Sequence, residues 1–204
     1  MPPRWPERPT SGIIKDAQVI FTARRFAMPR LKVIDPATSE GVVKELFEGP
    51  LKQRQINIYK GLANSPAALQ AYMGMAKALG TAKLGKKEQE VIQLAIAEAQ
   101  GCHYCVAAHT DVGRRCKLSD EQMLGARRGR IDDDPKLNAV VRFALSMHEK
   151  RGFVSDAEIA ELRKHGYADA EIAEMVASYA LMIYTSTFNH VNDTVVDFPQ
   201  PPGI

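Results

Sequence analysis

The chain has little cysteine, three residues in 204, too few for the disulfide framework of a small secreted scaffold. It has little net charge, +3, and no basic run interleaved with aromatic residues, so it carries no electrostatic footprint for nucleic acid. Long hydrophobic runs are missing too: every apolar stretch falls short of the roughly 20 residues that span a bilayer. No segment reads as a β-strand. What is present is an ordinary globular composition, 45% hydrophobic and 25% charged, long enough for one domain with a sizeable core or two fused small repeats.

Residues 1–27 differ from the rest. Four of the twelve prolines fall in the first nine residues, and arginine is frequent. Glu7 and Asp16 interrupt the positive charge and no long apolar core follows, which makes a poor secretory signal and only a weak transit peptide. The plainer reading is an extended or disordered tail, or a start placed too early, because MPRLKVIDP at Met28 reads as a natural beginning. The expected organisation is tail 1–27, helical domain 28–198 and a second short tail, 199–204, whose PQPPGI sequence cannot be helical.

Within the domain, helical periodicity and cap signals recur. Thr38 to Phe47 repeats Val42, Val43, Leu46 and Phe47 behind Thr38 and Ser39 as caps, and Gly49-Pro50 ends it. Gln53 to Gly61 is a weaker helix with Ile56 and Tyr59 inward. Ser65-Pro66 opens a helix carrying Leu69, Tyr72, Met73, Ala76 and Leu79, closed by Gly80. Capping boxes start at Ser119 and Ser155, Asp134-Pro135 opens another helix, and Asp169 is expected to cap a long one through about Asn189. The sum is an all-α bundle of seven to nine helices, with the blocks 38–130 and 134–195 as a possible degenerate pair.

The stretch Glu90 to His109, EVIQLAIAEAQGCHYCVAAH, concentrates the chemistry. Val91 to Ala99 is apolar on several sides, the pattern of a buried helix. Gln100-Gly101 breaks it, and Cys102 opens a second helix through roughly Arg115. Cys102 and Cys105 are then spaced i, i+3 and Cys105 and His109 i, i+4, so all three share a face. One turn separates the cysteine backbones by about 5–6 Å, which suits a disulfide. A cysteine in a first turn meets free N–H groups and the positive end of the helix dipole, and both favour thiolate. His109 is placed to exchange protons with either sulfur, and Glu90 to hold the far end of that relay. The expected cycle is thiolate attack on a peroxide oxygen, condensation of the sulfenic acid with the second thiol, and reopening by a reductant.

Other residues have plainer readings. Zinc on Cys102, Cys105 and His109 would leave a fourth position open, and no paired Cys/His set lies elsewhere. The c-type haem signature needs histidine directly after the second cysteine, where Val106 stands. Glu98, one turn before Cys102, competes with Glu90 for the relay. Tyr104 reads as a packing or gate residue, Cys116 as a structural thiol, and His165 as a C-terminal helix cation. His148 has no partner at ligand spacing, His190 is a candidate for a pocket wall or an interface, and Arg114-Arg115 and Arg127-Arg128 read as solvated surface.

Glutamate followed twelve positions later by Cys-x-x-Cys and then x-x-x-His resembles the AhpD-like alkylhydroperoxidases of the carboxymuconolactone decarboxylase superfamily. GCHYCVAAHT and the tail FNHVNDTVVDFP are similar to its peroxidase-related branch, over about Met28 to Phe198. One departure stands out: the family's histidine just before the second cysteine is replaced by Tyr104, with His103 one place earlier. The resemblance implies an AhpD-like fold in a homo-oligomer, a trimer or a multiple of it. It implies that Cys105 is the peroxidatic cysteine, that Cys102 resolves it, and that His109 and Glu90 carry protons. Expected partners are a small organic hydroperoxide and a thiol or dithiol reductant, with no metal, organic cofactor, nucleic acid or membrane, in the cytoplasm. Two further readings keep the dithiol: a disulfide reductase or redox relay for a partner, and a non-enzymatic oligomeric sensor. Decarboxylation is the weakest option, because the CxxC motif marks the redox branch.

Overall fold

The computed structural model describes residues 28–204; the readings made for residues 1–27 lie outside the described residues. A short 3-10 turn, Pro36–Thr38, precedes nine α-helices among the described residues. They are α1 (Gly41–Glu48), α2 (Asn57–Leu62), α3 (Pro66–Gly80), α4 (Lys86–Ala99), α5 (His103–Arg115), α6 (Asp120–Arg128), α7 (Pro135–Glu149), α8 (Asp156–Lys164) and α9 (Asp169–Asn192). No described residue is in a strand, so the all-α bundle expected from periodicity is the fold.

Helix α4 is the axis. Every residue from Gln89 to Ala97 is buried, because α5, α6, α7 and α9 pack around it. The apolar positions on several sides of α4 thus report contact on all sides. Helix α9 in turn covers α3 and α5, and α8 covers α7. Local chemistry fixes most helix starts. The Ser65 hydroxyl accepts the Ala68 N–H, Asp134 accepts from Leu137, and Ser119 with Gln122 forms a reciprocal capping box.

Three details differ from the periodicity. Thr38 belongs to the 3-10 turn, which Asp35 caps through the Ala37 N–H, so α1 starts later and leaves Val42 facing solvent while Val43 and Phe47 bury. Helix α2 begins at Asn57, because Leu51 to Gln53 form a turn. Helix α9 starts after Ala168 at the cap position, with Asp169 as a first-turn acid, and runs to Asn192. Glu171 closes its first turn by accepting the Ala168 N–H at 2.9 Å.

Both ends of the described chain fasten to the end of α9. Arg30 N–H donates to the Asn192 carbonyl at 2.7 Å, and Leu31 N–H to the Asn192 side chain at 3.0 Å. After Asp193, in the left-handed conformation, the chain turns back. Asp197 accepts the Asn57 N–H at 2.7 Å, Phe198 meets Tyr104 edge-on at 5.5 Å, and the Pro202 carbonyl accepts from Arg127 at 2.5 Å.

The join between α4 and α5 positions the chemistry. Gly101 adopts φ +65°, and the Cys102 N–H donates back to the Ala97 carbonyl at 2.9 Å, closing α4 while α5 departs in a new direction. A Cβ at Gly101 meets nothing within 4 Å, so only backbone strain opposes a side chain there. Replacing Gly101 with alanine is expected to lower stability by about 1–2 kcal/mol, the left-handed penalty of an L-residue. Urea unfolding should show a lower midpoint with an unchanged slope. An unaltered midpoint would mean that the turn does not need glycine.

Candidate active site

Cys102 is the N-cap of α5, one place before the helical turn the spacing implied, and its sulfur accepts the Cys105 N–H at 3.2 Å. Cys102 and Cys105 are joined as a disulfide, with an S–S distance of 2.09 Å and Cα atoms 5.2 Å apart. Both sulfurs therefore sit at the positive end of α5, where free N–H groups and the helix dipole favour negative charge. One turn along, His109 Nδ1 donates to Glu90 Oε2 at 2.8 Å across the α4–α5 contact. A carboxylate only accepts, so this bond places the proton on Nδ1 and leaves Nε2 free to take one.

A cavity of about 320 Å³ lies beside these groups, between α2, α3, α4, α5 and α9. Cys105, His109 and Glu90 are on its wall; Cys102 is not. Cys105 is 2% exposed, so the cavity is its route to anything that reacts with it. Ile58, Leu79 and Leu181 make part of the wall apolar. Tyr59 and Tyr72 face each other across a 3.1 Å hydrogen bond between their hydroxyls, and Arg54 lies beside them. Desolvation, followed by the neighbouring Tyr59, raises the Tyr72 phenol far above its ordinary pKa, so it stays a neutral hydroxyl.

The remaining candidates separate. Glu98 does not compete with Glu90: its carboxylate accepts from Arg127 Nε at 2.8 Å, away from this cavity. That pair also corrects the solvated reading of Arg127, whose side chain is 7% exposed and holds both Glu98 and the tail. Arg114 and Arg115 do lie at the surface, paired with Asp120 and Asp111. Tyr104 packs against α2, its hydroxyl accepting the Ile58 N–H at 3.2 Å, and it also lines the cavity; burial drives its pKa up. His190 is exposed and off the cavity wall, its carbonyl bound to Arg30. His148 pairs with Gln100 and Tyr179, and His165 with Glu161. His103 begins α5 at the surface, on the side of the C-terminal tail. Cys116, expected as a structural thiol, is free and half-buried at the cavity wall; desolvation, then the charge of Glu90, raises its pKa. Among the described residues, no group of three or more His, Cys, Asp or Glu is placed to hold a metal ion.

Periodicity missed Asn189. It lies on α9, 4% exposed, with Nδ2 3.4 Å from Cys105 Sγ and 4.0 Å from Cys102 Sγ. The one signal available was its place in FNHVND, a segment too far along the chain for helical spacing to connect with the cysteines.

Among the described residues, nine helices form an all-α bundle with a cysteine pair at the N-terminus of α5. Residues 66–146, which include Glu90, Cys102, Cys105 and His109, match the carboxymuconolactone decarboxylase family. The fold is shared with a peroxidase-related protein from Ralstonia eutropha JMP134 that has the alkylhydroperoxidase AhpD core, at TM-score 0.76 and 22% identity over 84% of this chain and 94% of that one. A peroxidase-related protein from Silicibacter sp. TM1040 superposes at TM-score 0.67 and 21% identity, over 83% of this chain and 95% of that one. The debrominase Bmp8, as a cysteine-to-alanine variant in complex with 2,3,4-tribromopyrrole, superposes at 0.65 and 17% identity, over 76% and 85%. No curated protein matches the chain in sequence. Residues 66–146 thus resemble the carboxymuconolactone decarboxylase family, and the chain shares the AhpD-like helical fold.

The cavity predicts unequal sulfurs. After reduction, iodoacetamide should label Cys105 before Cys102, as read by peptide mass spectrometry over a time course. Equal labelling, or Cys102 first, would mean that the cavity is not the route to the dithiol.

Proposed function

We propose that the protein is a thiol-dependent peroxidase that reduces small organic hydroperoxides. The observation that carries this reading is the shared cavity, whose wall includes both Cys105 and the His109–Glu90 pair. Cys105 gives its thiol proton to His109 and attacks the terminal peroxide oxygen. An S–O bond forms as the O–O bond breaks, and the departing alkoxide takes a proton from the imidazolium, which Glu90 supports through Nδ1. Cys102 then displaces hydroxide from the sulfenic acid, releasing water and closing the disulfide. A thiol or dithiol reductant restores both thiols, and no metal or organic cofactor enters the cycle. The reading also carries a reducing cytoplasm as the setting and a homo-oligomer, a trimer or a multiple of it, as the working form.

Burial argues for a small oxidant over a protein disulfide. A sulfur that is 2% exposed and reached through about 320 Å³ of space suits a small molecule, whereas exchange with a folded partner needs an accessible sulfur. The debrominase among the fold relatives makes a brominated pyrrole a useful control substrate.

Three variants test the assignment in a reductant-coupled assay with tert-butyl hydroperoxide. Cys105→Ser should abolish turnover, and persistence of turnover would remove the proposal. Glu90→Gln should slow it by about 10²-fold or more, the scale of proton transfer by a positioned group. Glu98→Gln should leave the rate within about twofold and lower thermal stability instead, because it loosens a charge-assisted bond to a buried arginine. If Glu98→Gln slowed turnover as much as Glu90→Gln, the relay would be wrongly assigned.

A further inference from the structure

We infer that Asn189 is a catalytic residue whose two amide atoms act on opposite partners: Nδ2 on the Cys105 sulfur and Oδ1 on the O–H of the incoming hydroperoxide. The inference rests on the peroxidase reading for its second half only; the first concerns the sulfur itself.

Asn189 is brought to the dithiol by α9, 84 residues away in sequence from Cys105. Its Nδ2 is 3.4 Å from Cys105 Sγ, and it lines the cavity that leads there. The side chain is 4% exposed, yet Oδ1 is a buried acceptor with no hydrogen-bond partner among the described residues. Buried amide oxygens are almost always paired, because desolvating them without a donor is costly. An unpaired one, on a residue that lines the cavity and touches the reactive sulfur, marks a place reserved for a donor that arrives. The orientation follows from the chemistry. A thiolate accepts, so the NH₂ end faces it and the carbonyl end is turned away; the flipped amide would set an oxygen lone pair against the anion.

The two atoms share one carbon, so a donor bound to Oδ1 is held close to the sulfur. A hydroperoxide R–O–O–H carries its O–H on the terminal oxygen, the atom a thiolate attacks. Hydrogen bonding of that O–H to Oδ1 therefore sets the terminal oxygen beside Cys105 Sγ. On attack the sulfur loses two electrons, the S–O bond forms, the O–O bond breaks, and R–O⁻ leaves with the proton from His109. The original O–H hydrogen stays on the sulfenic acid oxygen, still bound to Oδ1, until the Cys102 thiol displaces it as water. This separates R–O–O–H from R–O–O–R: a dialkyl peroxide brings no donor to Oδ1.

The test uses the full-length reduced protein with Cys102→Ser and Cys116→Ser, so that Cys105 is the one thiol left to react, and compares tert-butyl hydroperoxide with methyl methanethiosulfonate. The second reagent attacks thiolates and has no hydrogen to donate. Asn189→Leu should slow methyl methanethiosulfonate about tenfold through the lost bond to the anion. It should slow the hydroperoxide by about tenfold more. Asn189→Asp keeps the acceptor and loses the donor, so both reagents should slow by similar factors. Melting curves identify any variant that does not fold, and Asn189→Asp, close in size to the native residue, then carries the test of Nδ2. An equal loss for both reagents in Asn189→Leu would overturn the Oδ1 role, and no loss with methyl methanethiosulfonate in either variant would overturn the Nδ2 role. A wild-type protein inert to hydroperoxide but slowed toward methyl methanethiosulfonate by Asn189→Leu would instead defeat the peroxidase reading and leave the Nδ2 assignment standing.

Discussion

The burial of α4 from Gln89 to Ala97 is the constraint on which the rest of the site depends. Over those nine residues, surrounded by four other helices, there is no face on which a charged side chain can be left to water. Glu90 nevertheless sits on it, and its carboxylate is stabilised inside the bundle by the imidazole of His109 at 2.8 Å. Gln89 and Gln93 obey the same rule, the first donating to the Leu79 and Leu84 carbonyls and the second to Ser178. Each buried polar side chain on this helix holds a named partner, so each also pins a neighbouring segment. The acid is fixed relative to the dithiol because core packing fixes the helix that carries it.

The second determinant is the reversal at Gly101. It turns the end of one buried helix into the start of another within three residues, which puts the cysteines where free N–H groups converge. The first cysteine is the cap itself, accepting a backbone N–H as a serine or aspartate would. A residue that caps and also bridges ties redox state to the geometry of the helix start. The two sulfurs are therefore unequal before any substrate arrives: one is engaged with the backbone, and the other faces the cavity.

Much of this was legible in the sequence because it is local. Capping boxes at Ser119 and Ser155, the Ser65-Pro66 start, and the i, i+3, i+4 phase of Cys102, Cys105 and His109 all act within a turn or two. Even Glu90 was reachable, because it lies on the adjoining helix. What failed to show was non-local. Asn189 and Cys105 meet only through the packing of α9 on α5, which no periodicity encodes. Glu98 had the right spacing for the relay but points to the other side of α4, where Arg127 waits on α6. Val42 looked like a core residue because Asp35 moved the cap and shifted the phase of α1.

Helix α9 and the segment behind it follow the cysteines in the chain, and this gives the order of synthesis a consequence. A nascent chain that has emerged through α7 already holds both cysteines, the acid and the histidine. It does not yet have the amide of Asn189, the Phe198 ring against Tyr104, or the carbonyl that anchors Arg127. Until α9 has been made, the cavity lacks the wall that Leu181, Thr185 and Asn189 supply. Docking of α9 is thus the step that completes the enclosure of the cysteines, and a chain that stops before it carries the reactive groups without that wall.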